Sequence, residues 1–362
     1  MTLNPIFSDH MILQAGKPVR VFGTGSGTVT VTLASANVCV TTSADSWLAE
    51  LPAFDYGGPY KMTLTLNGEV RQLNDIWFGD VYLVAGQSNN QFKMWQTNTP
   101  KDYYADNDSL RLFTVDRLED EGKHVWTAEG WKSFCKDGTP GTFDGEHYEA
   151  ADGWVCAQAD LVQFWPALGY LFGSALLKES DRKIGLIACY QGASVIQSWI
   201  PAHHLEGTEL DIPPELRSDS FKNLAYRLWN GDGNLYEAML KTIFPIPMKA
   251  VVWYQGEANT TGADSNHDTY AGMLTSLIEK WRSDFKDTDL PFIIIQIHDY
   301  IHGIKRENGD WRAVQAAQET VCRTVPHTHL VKSGDLCETD DIHPKSKLAL
   351  ALRITDAIKQ LL

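Results

Sequence analysis

The chain has 362 residues, 43% of them hydrophobic and 21% charged, ordinary values for a water-soluble globular protein. Its 46 acidic against 31 basic residues give a net charge of −15, which leaves neither a basic footprint for nucleic acid nor a polybasic patch for a membrane. No apolar run approaches the ~20 residues that span a bilayer, and the amino-terminal residues show no signal-peptide pattern, so a cytoplasmic location is expected.

Residues 1–74 read as short alternating segments: Val19–Gly23, Thr28–Leu33, Val38–Thr42, Trp47–Leu51 and Tyr60–Leu66. Period-two patterning rich in β-branched residues, with turn residues at short intervals, predicts a small β-sandwich. From residue 75 to 362 the texture changes. Five apolar stretches, Val81–Ala85, Ile184–Ala188, Ala250–Tyr254, Phe292–Gln296 and His329–Val331, have the length and composition of buried parallel strands. Between and after them lie helical periods at Pro166–Lys178, Leu235–Ile243, Thr269–Phe285, Trp311–Cys322 and Lys345–Leu361. That alternation predicts a flavodoxin-like three-layer α/β/α domain. The span Lys93–Trp165 shows no clear period and is expected to be irregular structure over one edge of the sheet. The six cysteines contain no C-x-x-C pair, which removes zinc-site spacing and favours small buried thiols.

In such a sheet, chemistry sits in the loops beyond the carboxyl ends of the strands. The first strand delivers Gly86-Gln87-Ser88-Asn89, the second Gln191-Gly192-Ala193-Ser194, the third Gln255-Gly256-Glu257-Ala258-Asn259, and the fifth leads to Asp340-Asp341-Ile342-His343-Pro344. Ser88 at a strand–helix turn reads equally as a helix cap, but a histidine at the same edge supplies the base a serine hydroxyl needs. Asp340 and Asp341 both stand close enough to orient His343; the competing reading makes them caps of a helix starting near Pro344. Backbone amides of Ser88 and Gly192, with a side-chain amide from Gln255 or Asn259, are candidate donors to an oxyanion. Glu257 reads as an internal brace. His298 and His302 have i, i+4 spacing, but with Asp299 they sit on a loop and no further ligand is nearby; no metal is expected, and with neither a P-loop nor G-x-G-x-x-G no cofactor either. Trp95, Trp126, Trp131, Trp154 and Trp165 are candidate sugar platforms, although aromatics more often build core.

Taken together, Gly86-Gln87-Ser88-Asn89, Gly185-Leu186-Ile187 with Gly192 and Ser198-Trp199-Ile200, Trp253 through Asn259, and Asp341-Ile342-His343-Pro344 resemble, in order, the blocks of the sialate O-acetylesterase family of SGNH hydrolases, which includes acetylxylan esterases. Phe7-Ser8-Asp9-His10-Met11-Ile12-Leu13-Gln14 resembles its opening motif. The resemblance implies a carbohydrate O-acetylesterase acting on acetylated sugar, with Ser88 as nucleophile, His343 as acid–base, and oxyanion donors at Ser88, Gly192 and the third block. Two departures stand out: Asn90 replaces a usual Met, and Gln191-Gly192-Ala193-Ser194 replaces a Gly-Gly-Thr/Ser turn. The rival readings are a lipase or thioesterase, disfavoured because the nucleophile motif lacks the second Gly of G-x-S-x-G, and a carbohydrate-binding protein, which would need no such reactive set.

Overall fold

The structure is a computed structural model that describes residues 1–117, 153–222, 227–307 and 309–361. Trp126, Trp131 and Cys135 lie outside the described residues. Strands β1 (Thr2–Leu3), β3 (Pro18–Thr24) and β6 (Ser46–Ala53) form one antiparallel sheet. Facing it are β4 (Gly27–Leu33), β5 (Ala36–Thr42), β7 (Gly57–Leu66) and the first half of β8 (Glu69–Gly86). The alternation seen in the sequence is the alternation of burial: Val29, Val31 and Leu33 on β4, and Met62 and Leu64 on β7, are completely buried between the two sheets. Each such side chain contributes roughly 1.5–3 kcal/mol by leaving water.

β8 runs without a break from this sandwich into a second, parallel sheet. Its start pairs antiparallel with β7, from Leu66 opposite Glu69. Its middle pairs parallel with the short β2 (Ile12–Gln14), Ile12 opposite Trp77. Its end pairs parallel with β11 (Ile184–Tyr190) on one side and β12 (Ala250–Tyr254) on the other. Outward from these lie β13 (Phe292–Ile295) and β14 (Thr328–Val331) on one flank. On the other flank lie β9 (Asn107–Thr114) and the antiparallel β10 (Val155–Ala157). Setting aside β9 and β10, the order β11-β8-β12-β13-β14 is 2-1-3-4-5 in chain order, the doubly wound flavodoxin-like arrangement.

The sheet interior is apolar on both faces, as a covered parallel sheet requires. α2 (Ala167–Leu177) packs with α5 (Leu348–Leu361), and α3 (His267–Asp284) with α4 (Trp311–Thr324), giving the three-layer α/β/α fold. Side chains cap two of these helices: Asn266 accepts from the Asp268 amide at 2.9 Å, and Asp310 from the Ala313 amide at 2.8 Å.

Two sequence expectations need correction. The Lys93–Trp165 span is not irregular throughout, because it contains β9 and β10. β9 was hidden by Arg111 in the middle of its apolar run; that guanidinium is buried because it donates to the Asp75 carboxylate at 2.9 Å and the His10 carbonyl at 3.0 Å. The last helix starts at Leu348 rather than near Pro344, so the aspartates before His343 do not cap it.

Candidate active site

The strand order reverses between β8 and β12, and the carboxyl edge at such a reversal is where an open α/β sheet binds its ligands. β8 ends there on Gly86, at φ +142°, where a side-chain carbon would meet the Tyr254 carbonyl oxygen at 2.1 Å. Only glycine lets the strand pass so close to β12 and turn. Gln87 then staples the two loops: its amide donates to Tyr254 O at 3.0 Å, and its side-chain Oε1 accepts from the amides of Gly256 and Ala258, each at 3.2 Å. Ser88 follows, half-buried, as the first residue of the single-turn helix α1 (Ser88–Gln91). A first-turn amide has no partner within its own helix and is left to serve a ligand or water. Asn90 does not face a ligand: it is fully buried and donates back to Ala85 O at 2.6 Å, bracing the turn.

His343 arrives on the loop between β14 and α5. Asp341 Oδ1 accepts from the His343 backbone amide at 2.8 Å, a local turn in which the side chain shapes its own loop. The negative charge of Asp341 favours the imidazolium form, but burial and the Lys347 cation outweigh it and hold His343 below its ordinary value. Asp340 is exposed and makes no hydrogen bond among the described residues. The imidazole lies 6.1 Å from the Phe92 ring in a stacked arrangement, and Asn89 donates to the Ile342 carbonyl at 2.9 Å. The residue after the serine is thus bonded to the residue before the histidine.

His298, which the sequence places in a loop without a partner, sits beneath this loop. Its Nε2–H donates to the Asp341 carbonyl at 2.9 Å, and burial pushes its pKa down to about 4, so it is a neutral brace. His203 and His204 are exposed on a separate short helix.

Gly192 stands beside the serine. A side-chain carbon added there would lie 3.9 Å from Ser88 Cβ and 3.0 Å from Gln91 Oε1, so the position is held open. Its neighbour Ala193 has φ 54°, a left-handed conformation that costs an alanine roughly 1–2 kcal/mol. Such strain collects at functional turns. The two side-chain amides behave differently from expectation. Gln255 Nε2 donates to Ser194 O at 3.0 Å and Asn259 Oδ1 at 2.7 Å, while its Oε1 accepts from Tyr270. Asn259 Nδ2 donates to Gln197 Oε1 at 2.9 Å and Asp264 Oδ2 at 2.8 Å. Both residues are fully buried and both have spent their donors inside the protein. In this arrangement they brace the Gly192–Ser194 turn, which leaves the backbone amides of Ser88 and Gly192 as the candidate oxyanion donors.

Of the candidate sugar platforms, Trp154 and Trp165 are core: their indole N–H groups donate to Ile6 O and Thr114 Oγ1. Trp95 is half-buried. The described cysteines, Cys39, Cys156, Cys189, Cys322 and Cys337, are unpaired.

A 2-1-3-4-5 sheet with serine, glycine turn and loop histidine gathered at its carboxyl edge is the architecture of an SGNH-type serine esterase. Comparison with known proteins gives the family. The chain belongs to the carbohydrate esterase, sialic acid-specific acetylesterase family, whose model matches residues 78–360. It is similar to the sialate O-acetylesterases of Mus musculus, 27% identical over 96% of this chain and 70% of that one, and of Homo sapiens, 26% identical over 96% and 68%. Among solved structures, a carbohydrate acetylesterase from Xanthomonas citri superposes with a TM-score of 0.78 at 24% identity, over 99% of this chain and 75% of that one, and shares the fold. No helix among the described residues is long and apolar enough to cross a membrane.

Proposed function

We propose that this esterase removes O-acetyl groups from carbohydrate through an acetyl-enzyme on Ser88, with His343 as the proton carrier and Asp341 as the carboxylate that steadies it. His343, neutral at ordinary pH, takes the Ser88 proton as the hydroxyl oxygen attacks the acetyl carbonyl. The oxyanion that forms is met by the amides of Ser88 and Gly192. His343 then gives its proton to the departing sugar oxygen. Water, deprotonated by the same imidazole, attacks the acetyl-serine; acetate leaves and Ser88 regains its proton. Asp341 is preferred to Asp340 because its charge acts on the imidazole while Asp340 faces solvent.

The observation that carries this reading is the Asn89–Ile342 hydrogen bond, which brings the serine turn and the histidine loop to one point of the sheet edge. O-acetylated sialic acid is the first substrate to try, since the curated relatives are sialate O-acetylesterases. The test is acetate release from that sugar, from acetylated xylan and from an activated acetate ester, by wild type and Ser88→Ala. A loss of roughly 10³-fold or more in kcat for the variant is expected; equal rates would sink the serine assignment.

A further inference from the structure

Beneath the serine and histidine lies a polar cluster that the reaction described above does not use. Lys347 is completely buried, and its ammonium donates to Asn89 Oδ1 at 2.7 Å. The same Asn89 amide donates through Nδ2 to Glu257 Oε1 at 2.6 Å and to Ile342 O at 2.9 Å. One side-chain amide therefore bridges a buried cation, a buried carboxylate and the residue preceding His343. The ammonium also sits 5.0 Å from the centre of the Phe92 ring, the ring that stacks beside His343. A buried charge is costly unless something specific holds it, and a lysine is almost never fully buried unless paired.

Resting on the serine-esterase reading above, we propose that Lys347 is a positioning residue for this reaction: through Asn89 it locks the nucleophile turn to the histidine loop. Beside burial, the cation also opposes the imidazolium form of His343. Five ionisable side chains besides Asp341 surround the pair. Tyr254, whose ring centre lies 5.9 Å from the ammonium and whose hydroxyl burial keeps protonated, ends β12. Glu257 follows β12, His298 follows β13, and Cys337 and Glu338 follow β14; α1 contributes none. Of these, His298 is neutral, burial holds the Cys337 thiol protonated at about 11, and burial pushes the Glu257 carboxyl up from its ordinary value, so the standing negative charges are Asp341 and Glu338. Burial pushes the ammonium itself down to about 8, with those neighbours opposing, so it carries its charge throughout the acid range. The sign follows: a cation near an imidazole disfavours imidazolium, so its removal makes His343 take up a proton at higher pH.

The test is the pH profile of kcat/KM on an activated acetate ester for wild type, Lys347→Gln and Lys347→Met. Lys347→Gln keeps a donor for Asn89 and removes the charge; Lys347→Met removes both. Both variants should lose activity on the acid side sooner than wild type, each falling roughly three- to tenfold further between about pH 8 and about pH 6. Lys347→Met should also lower kcat about tenfold at every pH with little change in KM, and Lys347→Gln should recover part of that loss. Profiles that superimpose on wild type would overturn the inference. Should neither variant fold, a wild-type acid limb at or above the ordinary imidazole value of about 6.5 overturns it. Ser88→Ala run alongside separates the failures. An active Ser88→Ala removes the serine reading itself, whereas an inactive one with unshifted Lys347 profiles removes only this inference.

Discussion

The two ends of β8 are built from opposite materials. At its start the strand closes a sandwich whose core is Val29, Val31, Leu33, Met62 and Leu64, side chains with no polar atoms and no directional demands. At its end it enters a region where Gln87, Asn89, Asn90, Gln197, Gln255, Asn259, Asp264 and Glu257 are equally buried. Apolar packing there would be cheaper, since every buried amide must find its partners or cost roughly 1–3 kcal/mol. Hydrogen bonds fix direction, however, which contact between methyl groups does not. On the proposed mechanism, a serine, a glycine amide and an imidazole from three separate loops need directional support to hold reacting geometry, a demand the sandwich core does not face.

Substitutions at the two ends should therefore fail in different ways. The largest effect is expected from Asn259→Ala, which strands one Gln255 N–H, the Ile196 amide and Gln197 Oε1 and removes one of the two donors to Asp264 Oδ2. A loss of about 3 kcal/mol or more in denaturant unfolding, with kcat reduced as well, is expected; a stable, fully active variant would show that the amide cluster is dispensable. Next comes Asp341→Asn, which preserves an acceptor for the His343 amide and removes the carboxylate charge. Its kcat should fall about tenfold and its acid limb move to lower pH, because Asp341 is the group raising the His343 value. Asp340→Asn, by contrast, should stay within about twofold of wild type; the reverse ranking would exchange their roles. Val31→Ala in the sandwich should cost roughly 1–2 kcal/mol of stability and leave kcat/KM unchanged at temperatures where the protein is folded. A loss of activity there would mean that the sandwich also shapes the site.

The same contrast explains what was legible in the sequence. Alternating Val, Thr and Leu in β4 and β7, and the apolar runs of β11, β12 and β13, announce strands because burial is written in residue type. Ser88, Gly192 and His343 stand out as candidates by residue chemistry at strand ends, while the sequence leaves Asp340 and Asp341 equal. β9 did not stand out, since the charge on Arg111 breaks its run and its acceptors Asp75 and His10, distant in sequence, make that charge tolerable. The tasks of Gln255 and Asn259 were equally hidden. An amide near a site reads the same whether its N–H points at ligand or at a neighbouring side chain, and only the packed loops decide. His298 and Lys347 stand below the histidine loop for a reason carried by tertiary contact, with no local pattern to mark it.

The most direct test of the account is to trap the intermediate. Wild-type protein mixed with an activated acetate ester and quenched in acid within one turnover should carry a single acetyl group on the peptide containing Ser88, read by mass spectrometry, and Ser88→Ala should carry none. Acetate release with no acetyl group on Ser88 in the wild type, or an acetylated peptide elsewhere that turns over at the catalytic rate, would contradict it.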